Sequence, residues 1–405
     1  MAAAMPAHRQ PAEEFSPMLQ TLAVSDYRSI RNLVVPLSPL TVVTGPNGSG
    51  KSSMYRALRL LADTARGNLV NSLAREGGLP STFWAGPEKI SASMRSGEHP
   101  IQGTVRKETQ QLRLGFNADD FGYAIDLGYP SGGGSSAFSL DPEIKREVIW
   151  SGPVLRPAST MVERRGPLLR AVGETGGWDT VTNQLSGFES MMTAFADPRS
   201  APEMITVRER IRSWRFYDHF RTDAAAPCRQ PQLGTYTPVL DDEGAYLAAA
   251  LETIGEIGDG EGLGAAIEDA FPGSSVEIEV HGGWFEVAMR QHGLLRPLKA
   301  AELSDGTIRY LLLVAALLTP RPPGLMVLNE PETSLHPDLI PALARLITNA
   351  AKRSQVIVVS HSGRLVEALR KGRDASFIEL RKEFGETSVV DENRLEKPRW
   401  EWPKR

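Results

Sequence analysis

A chain of 405 residues, 41% hydrophobic and 23% charged, has material for two or three compact globular domains. Its net charge of −4 gives no global pull toward nucleic acid, so any basic surface has to be local. One cysteine, Cys228, excludes an intrachain disulfide and a cysteine-only metal site and suits a reducing cytoplasm, and the longest apolar run, residues 311–318, falls short of the roughly 20 residues a bilayer requires.

Residues 1–18 carry Pro6, Pro11 and Pro17 and no long apolar stretch, so a flexible tail is expected there and not a secretion signal. Residues 19–45 read as two short strands, with turn chemistry at Ser25-Asp26 and from Pro36 to Pro39, and then a third strand, 40–44. Next comes Gly45-Pro-Asn-Gly-Ser-Gly-Lys-Ser52, ahead of a helix on which Met54, Leu58 and Leu61 share a face. Strand, glycine-rich turn and helix in this order make a phosphate-binding loop. Gly45, Pro46, Asn47, Gly48, Ser49, Gly50, Lys51, Ser52 and Ser53 are the candidate ATP contacts. Lys51 supplies a point charge for the β- and γ-phosphates, and Ser52 a hydroxyl for Mg2+.

From residue 87 to 150 the pattern changes to short strands at 89–94, 101–106, 111–116 and 121–127, with a Gly132-Gly-Gly134 turn. Helical signals dominate 187–270, clearest at 203–214 and 243–254. Strands are expected again at 276–280, 284–289 and 294–298. Helix and apolar strand then alternate at 307–318, 324–328, 337–350, 355–359 and 364–370, which is the mark of a parallel sheet, before two more strands at 375–380 and 387–390. The expected fold is an α/β P-loop NTPase in which both ends of the chain close one sheet around an inserted antiparallel β lobe and a helical lobe. Expected boundaries are a tail to 18, the N-terminal half of the core with its β lobe at 19–186, the helical lobe and return strands at 187–300, the C-terminal half at 301–392, and a tail at 393–405.

Three motifs in the distal half narrow the chemistry. Leu303-Ser-Asp-Gly-Thr307 opens a helix and presents Ser304, Gly306 and backbone amides to an anion, while Ser304 or Asp305 would equally serve as an ordinary helix cap. Leu325-Met-Val-Leu-Asn-Glu-Pro-Glu332 is an apolar strand ending in acid, with Glu330 the candidate base for water and Glu332 the next choice. Val356-Ile-Val-Val-Ser-His361 delivers an imidazole at a strand end, a place for a γ-phosphate sensor.

These motifs resemble the ATP-binding-cassette type of ATPase head found in RecF-like and SMC-like proteins and in the overcoming-lysogenization-defect family. The likeness is greatest to stand-alone RecF-like AAA-family ATPases of bacteria. It implies an ATPase that closes head to tail as an ATP-dependent homodimer, with Lys51, Glu330 and His361 catalytic. Ser304 and Gly306 would form the signature that reaches a partner's γ-phosphate, and Ser334-Leu-His-Pro337 the loop that signals across the interface. Tyr27-Arg-Ser-Ile30 would lie beside the adenine and sugar. The wider pattern has Asp before the catalytic Glu, whereas Asn329 stands here; its carbonyl oxygen can still serve Mg2+, through a water, without charge, so slow hydrolysis is expected. Gln184 lies near the expected place of the glutamine that touches magnesium and is left unassigned.

Only 44 residues follow His361, and no heptad repeat is present, so a bare head without a nuclease domain or a long arm is expected. Arginines and aromatics interleave between Arg199 and Arg229, the composition used to grip phosphates and stack bases. The alternation of charge along that stretch points instead to aromatics packed inside and arginines paired with Glu203, Glu209 and Asp218. Two roles stay open: a clamp on DNA in repair or genome defence, or a dimerisation switch for a separate protein effector. The basic, tryptophan-containing end, 394–405, reads as a mobile solubilising tail.

Overall fold

The computed structural model describes residues 17–88, 90–99, 109–130, 137–173, 175–195, 197–372, 374–390 and 397–404. The chain begins with β1 (Leu19–Tyr27), β2 (Ile30–Pro36), β3 (Leu40–Thr44) and the long helix α1 (Lys51–Arg66). Short helices α2 (Leu69–Arg75), α3 (Gly78–Thr82) and α4 (Ala92–Arg95) lead to β4 (Leu112–Ala118), β5 (Phe121–Gly128), β6 (Glu143–Ser151), β7 (Thr160–Arg165), β8 (Leu168–Val172) and β9 (Trp178–Thr182). Then come α5 (Met191–Ala194), α6 (Pro202–Ser213), β10 (Arg215–Tyr217), β11 (Gln232–Leu233), α7 (Leu247–Ile257), α8 (Gly260–Ala270), β12 (Ser275–His281), β13 (Trp284–Arg290) and β14 (Leu298–Lys299). The distal half holds α9 (Asp305–Leu317), β15 (Leu325–Asn329), α10 (Ile340–Ala350), β16 (Gln355–Val359), α11 (Gly363–Lys371), β17 (Ser376–Glu383) and β18 (Glu386–Val389).

One sheet joins the two ends of the chain in the order β10-β15-β16-β3-β17-β18. Its strands are parallel except β18, which runs antiparallel at the edge. Because strand side chains alternate between faces, Val43, Val327, Ile357 and Val359 enter one core and Val42, Leu328, Val356 and Val358 the other. The first core is shared with α1 and with an antiparallel sheet, β2-β1-β4-β5-β6-β7-β8-β9; the second is shared with α7, α9, α10 and α11. Burial on both faces is what the near-continuous apolar runs of β15 and β16 require. On α1 the expected face, Met54, Leu58 and Leu61, is fully buried.

The antiparallel sheet is pinned by a charged pair with no exposure, Arg164 and Glu147, at 2.9 Å. Glu147 also accepts from Tyr123 Oη, Ser190 Oγ and the Met191 amide, so its lone pairs are satisfied and the charge is tolerated in the interior.

Several expectations are corrected. The β1–β2 turn falls at Arg28-Ser29, because β1 runs on through Asp26 with a left-handed residue on either side of Tyr27 (Asp26, φ 57°; Arg28, φ 54°). The strand expected at 89–94 is a helical turn instead, capped where Ser91 Oγ accepts from the Met94 amide. The strand at 101–106 and the glycine turn at 132–134 lie outside the described residues. The strand expected at 294–298 shrinks to β14, since residues 291–294 turn and Leu295 points wholly into solvent. The region read as a helical lobe also gives β10 to the edge of the core sheet. Of the expected solubilising tail, residues 397–404 are described and pack on the antiparallel sheet: Trp400 sits edge-on to Trp150 at 5.6 Å, and the Arg113 guanidinium covers Trp402 at 5.0 Å.

Candidate nucleotide-binding site

Strands β3, β15 and β16 are parallel neighbours or next neighbours, so their carboxyl ends open on one crevice, the usual place for a ligand in an open α/β sheet. Past β3 the loop turns through left-handed glycines, Gly48 at φ 78° and Gly50 at φ 108°. Gly50 precedes α1, whose first turn has no side-chain cap, which leaves its amides for an anion. A Cβ on Gly50 would clash with the Thr387 side chain. Thr387, on β18, donates from Oγ1 to the Ser49 carbonyl (2.9 Å) and lies 2.8 Å from Ser29 Oγ, whose hydroxyl can donate to it, so β18 buttresses the loop from beneath.

Lys51 is the first residue of α1, and its Nζ donates to the carbonyls of Gly45 (2.6 Å) and Pro46 (3.0 Å). Burial pushes its amine below the ordinary lysine range, partly offset by Glu330 and Glu332. Ser49 Oγ is buried without a partner among the described residues. An orphaned donor, uncapped amides and a buried ammonium form a cradle whose chemistry fits a polyphosphate with magnesium. Ser52, on the exposed side of the first turn, is the hydroxyl available to the metal.

At the end of β15, Glu330 sits at φ 48°, a left-handed backbone unusual for a residue other than glycine. Its amide donates to the Val359 carbonyl (2.7 Å), tying the acidic turn to β16. His361 Nδ1 lies 3.2 Å from Glu330 Oε1 and 3.9 Å from Glu332 Oε1; Glu330 and His361 are about half exposed, at 43% and 50%. Glu332 is buried, accepting at Oε1 from Ser360 Oγ (2.6 Å) and the Ser362 amide (3.2 Å), while Oε2 has no partner among the described residues. Glu330 is thus the carboxylate open to solvent, and Glu332 the one that locks β15 to β16. Asn329 gives its Nδ2 hydrogen to Asp218 Oδ1 at 2.7 Å.

Ser304 is the cap of α9, accepting from the Thr307 amide at 3.1 Å, and it is exposed. Cap and exposed hydroxyl are compatible, so both readings of the motif describe the same serine. Gly306 lies so close to the next turn that a Cβ would stand 3.0 Å from the Ser334 carbonyl, and Ser334 itself has φ 65°. The motif and the 334–337 loop therefore form one surface. Beneath it the buried Arg229 donates to the carbonyls of Ala300 and Leu303 and to Asp305.

One expectation is corrected at the periphery. Tyr27 is fully buried with its hydroxyl on Glu76 (2.7 Å), so its ring cannot stack on a base; in that turn Ser29 faces the loop, 3.4 Å from Ser53. Gln184, left unassigned in the sequence, is exposed, its backbone N–H donating to Thr182 Oγ1. The arginine-rich stretch is partly engaged in the fold: Trp214, Phe216 and Phe220 are buried and Arg210 grips Asp120 through two bonds of 2.7 Å, while Arg199, Arg212 and Arg221 are exposed. Sequence reasoning missed Asp218, Arg309 and Thr387. A lone charge in the apolar run of α9 was the signal for Arg309, which is 3% exposed.

The profile of the family described as "AAA domain, putative AbiEii toxin, Type IV TA system" matches residues 40–129 and 196–367. The chain belongs to this family. The matched parts hold the phosphate loop, the acidic strand and His361, and the unmatched interval carries β6–β9. An OLD nuclease of Thermus scotoductus (strain ATCC 700910 / SA-01) is 43% identical over 44 residues, 11% of this chain and 8% of that protein's length. Among solved structures, an SMC head bound to the C-terminal winged-helix domain of ScpA is 14% identical with a TM-score of 0.48, covering 92% of this chain and 97% of that one. The SMC head domain from Thermotoga maritima is 15% identical with a TM-score of 0.41, over 92% and 98% of the two chains. This AAA-family chain is an ATP-binding P-loop NTPase head. Among the described residues no helix is long and apolar enough to cross a membrane.

Proposed function

We propose that the protein is a slow ATPase whose ATP-dependent, head-to-tail homodimer acts as a switch on a separate protein effector in genome defence. The observation that carries the ATPase reading is the meeting of Lys51, Glu330 and His361 at the carboxyl ends of three core strands, with His361 3.2 Å from Glu330. Glu330 takes a proton from the water that attacks the γ-phosphorus; the bond to the β-phosphate oxygen breaks, and ADP and phosphate leave. Lys51 and the amides of Gly48 to Ser53 bind the phosphates, and His361 senses the γ-phosphate. Ser52 and Asn329 would hold magnesium, which when bound neutralises phosphate charge. Ser304 and Gly306 complete the partner's site. The effector reading is supported by the burial of Trp214, Phe216 and Phe220, which leaves these aromatics unavailable to stack on bases, and by a family description that names a toxin–antitoxin system.

The test is sizing of Glu330→Gln with ATP and magnesium. A dimer that persists with ATP and dissociates with ADP is expected; a nucleotide-independent elution profile overturns the switch.

Clamping of DNA is the second reading, and one feature favours it. A cleft of about 420 Å³ on the antiparallel sheet is lined by Arg146, Arg156, Arg165, Arg170 and Lys404 against Glu163 and Glu401, with Trp178 in its wall. Charge reversal at Arg156 and Lys404 would abolish any ATP-stimulated, salt-sensitive binding of duplex DNA. Duplex binding that survives this change, or that ignores ATP, counts against the clamp.

A further inference from the structure

We propose that Asp218 is a positioning residue on the metal side of the nucleotide site: it turns the Asn329 carbonyl oxygen toward the phosphate loop and supplies the charge that Asn329 lacks. The inference rests on the nucleotide-binding reading above. Tyr217 pairs with Leu328 in parallel register, so the residues that follow, Asp218 just past β10 and Asn329 at the end of β15, stand side by side at the carboxyl end of the sheet. Asn329 Nδ2 donates to Asp218 Oδ1 at 2.7 Å. A carboxylate only accepts, so chemistry settles the amide's orientation: its NH2 faces Asp218 and its oxygen faces the other way. With β10 on one flank of β15, the other way is the side of β16 and β3, where the phosphate loop lies.

Asp218 is itself held in place. Arg309, from the first turns of α9, donates from Nη2 to the carbonyls of Asp218 (3.3 Å) and Glu330 (3.4 Å), and its Nη1 lies 3.4 Å from His219 Nδ1. One buried guanidinium thus joins the helix that starts at Ser304, the edge strand β10 and the acidic strand β15. A carboxylate bonded behind a ligating group fixes its direction and raises its basicity, and losing such a partner typically lowers metal affinity about 10- to 100-fold. The sequence departure at Asn329 is therefore offset from a different strand.

The experiment is calorimetric binding of a non-hydrolysable ATP analogue at graded magnesium, with melting curves as the folding control. Asp218→Ala should raise the magnesium needed for half-maximal binding about tenfold. Asp218→Asn keeps an acceptor for Asn329 but no charge, and should fall between Asp218→Ala and wild type. Asn329→Asp alone sets two carboxylates at hydrogen-bonding distance and should not lower the requirement. The double change, Asp218→Asn with Asn329→Asp, moves the charge to the metal side and restores one donor and one acceptor, so it should bind at or below the wild-type magnesium concentration. If Asp218→Ala does not fold, Asp218→Asn and the double variant decide. Wild-type magnesium dependence in the Asp218 variants overturns the inference, as does an Asn329→Asp effect that is the same with Asp or Asn at 218. A wild-type chain that binds no analogue at any magnesium concentration overturns the nucleotide reading itself.

Discussion

Lys51 has no acidic side chain to pair with inside the loop and gives two of its hydrogens to carbonyls of the turn, while Glu330 and Glu332 support its charge from across the crevice. Charge-assisted hydrogen bonds of this kind contribute up to about 3 kcal/mol each. Lys51→Ala should therefore weaken ATP binding by about 100-fold, read by calorimetry with magnesium; unchanged affinity would remove Lys51 from the cradle. Glu330→Gln separates from it, keeping ATP affinity within a few-fold and losing turnover, because the phosphate contacts stay while the proton acceptor goes. Turnover at the wild-type rate would shift the base to another group, although Glu332 is badly placed for it, buried and bonded to Ser360 and Ser362. The residues of the phosphate loop, the acidic strand and His361 were legible in sequence because each is contiguous with its strand. Asp218 was not, because it reaches Asn329 from 111 positions away in the chain, through a strand of three residues too short to show a period.

Elements with a strong period were legible and those made by tertiary contact were not. The face of α1 and the strands β15 and β16 emerge from apolar spacing alone, whereas α4 replaced an expected strand through a serine cap, and β14 exists only as a two-residue partner of β13. The role of β18 likewise depends on long-range contact, since Thr387 touches the phosphate loop from the far end of the chain. Gly50→Ala would force a side chain into a left-handed backbone and against Thr387 together. It should lose nucleotide binding and destabilise the fold by about 1–3 kcal/mol, measured by denaturant titration. A stable variant that binds ATP normally would show that β18 yields. In the antiparallel sheet, Glu147→Ala strands the unexposed Arg164 and three other donors, and a broken buried pair costs about 3–5 kcal/mol. A loss under about 1 kcal/mol would mean that water reaches the pair.

At the scale of the molecule, the exposed Ser304 surface and the phosphate loop define two unlike faces, and a head-to-tail dimer would bring the first face of each chain against the second of the other. The surface is rigidly backed, by Arg229 beneath the motif and by Gly306 against the Ser334 turn, which favours its use as a preformed contact. Through Arg309, closure on a partner's γ-phosphate would also bear on the backbone of Glu330 in the same chain, so each subunit's signature would report to its own acidic strand. Mixing variants tests the arrangement. Lys51→Ala homodimers lack both cradles and Ser304→Arg homodimers lack both signatures, so each alone should be inactive. A mixed dimer keeps one site in which an intact cradle faces an intact signature, and up to about a quarter of wild-type activity should return in an equal mixture if one site suffices and chains pair at random. Recovery that scales with the product of the two concentrations would place Ser304 in trans. A Ser304→Arg homodimer with full activity would show that the motif does no more than cap α9.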